Sequence, residues 1–321
     1  MFRRLLAALR PRPSTTPPGA PHDAIPARDE HGRPVLVPRD IWRDTVLHPQ
    51  LKRDWNTPDA LYGTLLTALA DGFARELLTA AARLVDIDGH PERSHATYGV
   101  VLLESGRPDD AETVLRAGIR ITGATAPLLT NLARAQHDRG DTAGACELLR
   151  HAVRRDPNFE PALNGWLALE RNRAGEDGWL RALRDACDCR ASWRARLLLA
   201  RHHLDGGDLP AARVQYTLVL AGADVDGTVL QTLAADLRHH GHAGLAVTLA
   251  GPVYEPCRHG PQAGLQLLRA CLETERAAEG EALLARLRPV APAVFGRRLD
   301  EFQQAFALLL AAKVRPILAG R

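Results

Sequence analysis

The side chains best suited to chemistry here are clustered histidines and cysteines. They are His202-His203, His239-His240 with His242, Cys187-Asp188-Cys189, and Cys257 with His259. Imidazole and thiolate are the ordinary ligands of zinc. A structural zinc site gathers four of them tetrahedrally, usually from tight paired spacings. Here the pairs belong to separate helical segments, and His239, His240 and His242 fall at a helix end and turn, where imidazole is commonly just solvated. No metal site and no cofactor is read from them. Catalytic motifs are not found either: Gly-x-Gly-x-x-Gly, Gly-x-x-x-x-Gly-Lys and His-Glu-x-x-His do not occur, and Ser105 lies in no nucleophile elbow. The sequence reads as that of a protein that performs no chemistry.

The cations carry more information. Almost all are arginine, with lysine only at Lys52 and Lys313. A formal net charge of +3 gives no bulk attraction to nucleic acid or to a membrane surface. The five cysteines are odd in number and irregular in spacing, which points away from a disulfide framework and towards a reducing, cytoplasmic compartment. No apolar run is long enough to span a bilayer. The stretch Met1–Arg10 sets Phe2, Leu5, Leu6 and Leu9 opposite arginines. Its apolar run is too short for a signal peptide, but such a face suits weak contact with an anionic membrane surface.

These residues must be positioned by helices. Residues 1–34 include a proline-rich stretch, six prolines between Pro11 and Pro26, and read as a flexible, extended segment. Residues 35–56, with Trp42 and Trp55, read as an arm packing on the first helix pair. From Thr57 to about residue 291 the apolar spacing is helical, in pairs of about 34 residues. The phrase Gly-x-x-x-x-Ala returns as Gly106/Ala111, Gly140/Ala145, Gly207/Ala212 and Gly241/Ala246, and Gly175 marks one further turn. A final helix within 292–321, apolar through Leu299, Phe302 and Phe306, reads as a cap on the stack.

With this phase, the chain resembles the tetratricopeptide repeat (TPR) family, as a bacterial protein of that type with no assigned role. The family keeps small residues at places 8, 20 and 27 of its repeat. Place 8 is Gly99, Ala133, Ala200, Ala234 and Ala270. Place 20 is Ala111, Ala145, Ala212, Ala246 and Ala282, and place 27 is Gly118, Ala152 and Ala186. Departures are Leu77, Leu167, Trp179, Val219, Val253 and Pro289; at the third unit, with Leu167 and Trp179, the stack is expected to bend or loosen. The resemblance implies an all-α, right-handed α-solenoid of about seven helix pairs with a C-terminal capping helix.

It also implies a concave groove lined by the first helix of each pair. Thr130, Arg134, His137, Asn164, Arg171, Arg194, Arg201, Gln231 and Arg238 fall on that lining. Guanidinium takes a carboxylate in a bidentate fork, so the arginines suit an acidic or carboxylate-bearing segment of another protein. The expected function is a protein–protein interaction scaffold or adaptor. The alternatives are a membrane-surface assembly or regulatory factor and, with less support from charge, an RNA-binding helical repeat. Replacing Arg134 and Arg201 by alanine is expected to abolish capture without loss of stability.

Overall fold

The structure is a computed structural model that describes residues 24–28, 31–222 and 225–319. The amphipathic stretch 1–10 and most of the proline-rich segment lie outside the described residues. The chain divides into two compact units, Met1–Trp179 and Leu180–Arg321.

The first unit opens with a hairpin that the sequence reading did not contain. Strand β1 (Ala24–Arg28) pairs antiparallel with β2 (Pro34–Pro38), Ile25 facing Val37. Prolines at both ends of β2 and in the middle of β1 mask the strand pattern. Helix α1 (residues 39–54) follows, with a π-helical turn at Arg43–Leu47. It lies on the first helix pair, α2 (Pro58–Ala70) and α3 (Leu78–Ile87), burying Leu47 and Leu51 with Leu61, Leu65 and Leu77. Trp42 and Trp55 pack at the margin of this cluster. Arg39 ties the arm down, donating to the Asp71 carbonyl at 2.7 Å with its guanidinium 4.2 Å from the Phe73 ring centroid.

The next pairs are α4 (Pro91–Glu104) with α5 (Pro108–Thr122), and α6 (Ala126–Asp138) with α7 (Thr142–Arg155). The long helix Glu160–Cys187 is broken at Ala174 and Gly175, giving α8 (160–173) and α9 (176–187). The unit boundary falls inside α9. The second unit continues with α10 (Trp193–Asp205), α11 (Leu209–Leu220), α12 (Gly227–His239), α13 (Ala243–Ala250), α14 (Pro256–Glu273) and α15 (Ala277–Leu287). Helix α16 (Gly296–Ala319) closes it, burying Leu299, Phe302 and Phe306 in the same apolar cluster as α14 and α15. The fold class is the all-α solenoid of helix pairs.

The turn inside a pair explains the recurring glycine. Gly106 has φ 76° and donates to Leu103 O at 3.0 Å, while Arg107 donates to Leu102 O at 2.9 Å. These two bonds form a Schellman cap, which needs a left-handed residue that glycine adopts without a Cβ clash. The same two bonds recur at Gly72, Gly140, Gly207 and Gly241. Prolines at the first positions of α2, α4, α5 and α11 then start helices where an N–H has no intrahelical partner. Aspartates cap α7, α11 and α12: Asp141, Asp208 and Asp226 each accept from a backbone N–H three residues on.

The small residues sit where paired helices cross. Ala111, Ala145, Ala212 and Ala246 are fully buried, and a Cβ on Gly99 would lie 2.6 Å from Leu115 Cδ2. In the α8–α9 pair Trp179 is only half-buried, and its neighbour Gly178 makes the close approach, with space for a Cβ blocked by Glu170 O at 2.6 Å. In the α14–α15 pair the phase differs from the one expected. Its Schellman turn is at Glu275, left-handed at φ 52°, so Gly280 and not Ala282 stands five residues later at the crossing. Ala282 is exposed, whereas a Cβ on Gly280 would run into the Phe306 ring of α16. By the same shift Leu268 and Leu287, both fully buried, replace Ala270 and Pro289 in the phase.

Gly280→Val should therefore lower the unfolding free energy by about 2 kcal/mol, the cost of overpacking a filled crossing. Ala282→Val should change it by less than about 0.5 kcal/mol, as at an open surface site. Urea unfolding of the two variants checks the assignment.

Candidate functional site

The first helices of the pairs carry the residues expected to meet a ligand. In the first unit Thr130 is buried, and its hydroxyl donates to Ala126 O at 2.7 Å within α6. It is spent on its own helix and is not offered to a ligand, contrary to expectation. Asn164 is exposed on α8, and His137 is exposed with Nδ1 3.4 Å from Thr142 Oγ1. Arg134 donates from Nη1 to Glu104 at 2.8 Å, at the end of the preceding first helix. Arg171 pairs with Glu176 at 3.1 Å and lies over the Trp179 ring at 4.7 Å.

In the second unit Arg194 lies over the Trp193 ring at 4.7 Å, and Gln231 is half-buried on α12. Arg201 reaches from α10 to Asp236 of α12, with bonds of 3.1 and 2.7 Å to Oδ1. Arg238 reaches from α12 to Glu273 of α14 through Nε at 3.0 Å, and its Nη1 donates to Gln266 at 2.7 Å. The guanidinium row is therefore not bare. Each of Arg134, Arg201 and Arg238 holds a carboxylate of the adjoining repeat, with Arg201–Asp236 and Arg238–Glu273 each 35 residues apart.

The same device appears at arginines outside the expected set. Arg93 of α4 bonds Asp59 of α2 at 2.8 Å, 34 residues earlier, and also Asp88 at 2.7 Å. Arg276 and Arg286 each donate to a backbone carbonyl 32 residues back, on Gly244 and Tyr254. Reading the arginines without their acids missed this. The signal was available: in a chain of 34-residue period, an acid one period away from an arginine faces it.

Electrostatics distinguish the pairs. Asp236 is buried, and burial pushes its carboxyl above the usual carboxylate range, an effect that the Arg201 guanidinium only partly offsets. Its Oδ2 and the hydroxyl of Tyr216 are both buried without a hydrogen-bond partner among the described residues. His240 donates from Nδ1 to Asp236 O at 2.8 Å and from Nε2 to Asp205 at 2.9 Å. Both nitrogens face acceptors, so the imidazolium is favoured and its pKa is raised, first by the Asp236 carbonyl and then by Asp205.

Among the described residues no three His, Cys, Asp or Glu side chains converge to hold a metal ion, and no helix is long and apolar enough to cross a membrane. Burial pushes the thiols of Cys187 and Cys271 up to about 11, away from the thiolate that a nucleophile or a ligand needs.

The family model for the tetratricopeptide repeat matches residues 93–117, 126–151 and 193–216, which fall on α4–α5, α6–α7 and α10–α11. The chain carries tetratricopeptide repeats. Such repeats act in general as protein–protein interaction scaffolds, and that is the general role they support here. Similar solved structures include PilF of Pseudomonas aeruginosa, 16% identical over 71% of this chain and 96% of that one, with a TM-score of 0.37. A tetratricopeptide repeat protein from Parabacteroides merdae is 12% identical over 78% of this chain and 98% of its own, with a TM-score of 0.34. The APC/C hetero-tetramer Cut9-Hcn1 gives 14%, 86%, 53% and 0.35 for the same quantities. No curated protein matches the chain.

The raised pKa of His240 sets a pH dependence. A base whose folded pKa lies above its unfolded value contributes stability that is full below the unfolded value of about 6.5 and fades as pH rises through the folded one. His240→Asn should therefore lose stability relative to wild type at pH 6 and lose less as pH rises above the histidine range. Thermal melts from pH 5.5 to 9 check this; a constant difference across the range would remove His240 from the account.

Proposed function

We propose that the protein is a non-catalytic scaffold that holds a peptide segment of a partner protein against the first-helix face of its repeats. A cytoplasmic setting belongs to this reading, on the number and spacing of the cysteines. The observation that carries it is the state of the arginines on that face. Arg134 and Arg171 keep 29% and 50% of their side chains exposed while a carboxylate holds each guanidinium in place. A guanidinium fixed by one carboxylate still presents unused N–H donors in a known direction. A partner's carboxylates or carbonyl oxygens would add to these donors or exchange with Glu104 and Glu176.

The pairing changes how the proposal is tested. Arg201→Ala would strand the buried Asp236 carboxylate and lower stability, so lost capture by that variant would not report on binding. Arg134 and Arg171 pair with partly exposed acids and can be removed at little cost. Arg134→Ala with Arg171→Ala should weaken partner capture about tenfold or more, the effect of losing two charge-assisted contacts, with an unchanged melting temperature. Quantitative affinity capture with immobilised wild type and double variant measures this. Equal recovery of the same partners by both would place the binding surface elsewhere.

A further inference from the structure

Helix α16 is buried on one side only. Leu299, Phe302 and Phe306 enter the cluster of α14 and α15, and Leu309 and Leu310 pack at its edge. The opposite side is unusual for a surface helix. From Phe302 to Ala312, eleven residues, the sequence carries no charge. A helix lying on a core ordinarily turns charged residues to water. Here Gln304, Ala307, Leu308, Ala311 and Ala312 are exposed, and Leu308 is 73% exposed. Gln303, also exposed, accepts from Arg288 at 2.8 Å. A lone exposed leucine needs no explanation, but an uncharged face around it does.

The exposed stripe is symmetric about Leu308. Gln304 and Ala312 stand four residues to either side of it, and Ala305 and Ala311 three. At seven residues the signs are opposite. Glu301 comes before, its side chain 61% exposed and 3.3 Å from Arg297, and the sequence places Arg315 after. Spacings of three, four and seven share one helix face. A face that reads alike in both directions, with unlike charges at its ends, complements itself about a two-fold axis, as an isologous contact requires. Alanines beside the leucine let two such helices approach closely. Parallel pairing would set like charges together, and a bilayer or an unrelated protein would need no symmetry about Leu308.

We propose that α16 of one copy of this chain packs antiparallel on α16 of a second copy, with the two Leu308 side chains meeting at the two-fold axis. Each leucine is covered by its counterpart, and Gln304 lies over Ala312 of the second copy. The acid end of each stripe lies beside the basic end of the other. One helix from each copy buries less than about 1,200 Å² in total, the low end for a specific contact, so the dimer is weak and forms in the micromolar range.

Sedimentation equilibrium of the full-length protein from about 1 to 300 μM tests this. A monomer–dimer equilibrium is expected. Leu308→Glu, at an exposed site, should weaken it at least about tenfold with an unchanged far-ultraviolet circular dichroism spectrum, and Glu301→Arg should weaken it several-fold. The direction of pairing is read by cysteine linking in a Cys257→Ser background, which removes the exposed native thiol. Mild oxidation should join Leu308→Cys chains to one another and leave Gln304→Cys chains unjoined. Antiparallel pairing about residue 308 sets the two copies of residue 304 about 12 Å apart along the helices, too far for a disulfide. A chain that stays monomeric throughout, a dimer that Leu308→Glu leaves unaltered, or equal joining at residues 304 and 308 would overturn the proposal. A monomer that sediments with vesicles of anionic lipid, and loses them on Leu308→Glu, would overturn it in favour of a bilayer.

Discussion

The close crossing of two helices at a residue without a bulky side chain is the constraint on which the rest of this molecule depends. Ala111, Ala145, Ala212 and Ala246 are fully buried at those crossings, and Gly178 and Gly280 serve where no alanine stands. Helices that approach this closely can pack ridge into groove along their length. The left-handed turn that precedes each crossing fixes how the second helix leaves the first. Turn and crossing together set a nearly constant repeat length, which the apolar clusters on both sides then reward.

A constant repeat length has an electrostatic consequence. Residues one period apart occupy equivalent heights on neighbouring first helices, so a cation and an anion placed one period apart meet. Arg93 with Asp59, Arg201 with Asp236, Arg238 with Glu273, and His240 with Asp205 are all separated by 34 or 35 residues. Arginine suits this task because its rigid fork reaches across the gap between helices and stays charged when partly buried. The arginine-rich composition thus has a structural use in joining repeats. Arginines that join repeats are also already oriented, which is what a binding face requires.

Much of the fold was legible because the signals are backbone signals. A left-handed turn selects glycine and a crossing selects a small residue, so both leave marks at fixed spacing. The marks failed where another residue filled the role. Glu275 takes the left-handed turn without being glycine, which shifted the reading of the α14–α15 pair and hid Gly280. The hairpin was hidden because Pro26 and Pro34 read as part of a flexible segment, while Pro38 cuts short the apolar run of the arm that follows. At the candidate face, arginine positions followed from the phase, but their partners did not, since Glu104, Asp236 and Glu273 were not placed on the same grid.

The central claim is that the phase set by helix crossing makes arginine and carboxylate of neighbouring repeats a coupled pair. A double-mutant cycle on Arg201→Gln and Asp236→Asn, read by urea unfolding at pH 7, tests it most directly. The account predicts a coupling energy above about 1 kcal/mol, as for contacting residues in one charged network. Additive losses, with coupling near zero, would contradict it and return the arginines to the status of an independent solvated face.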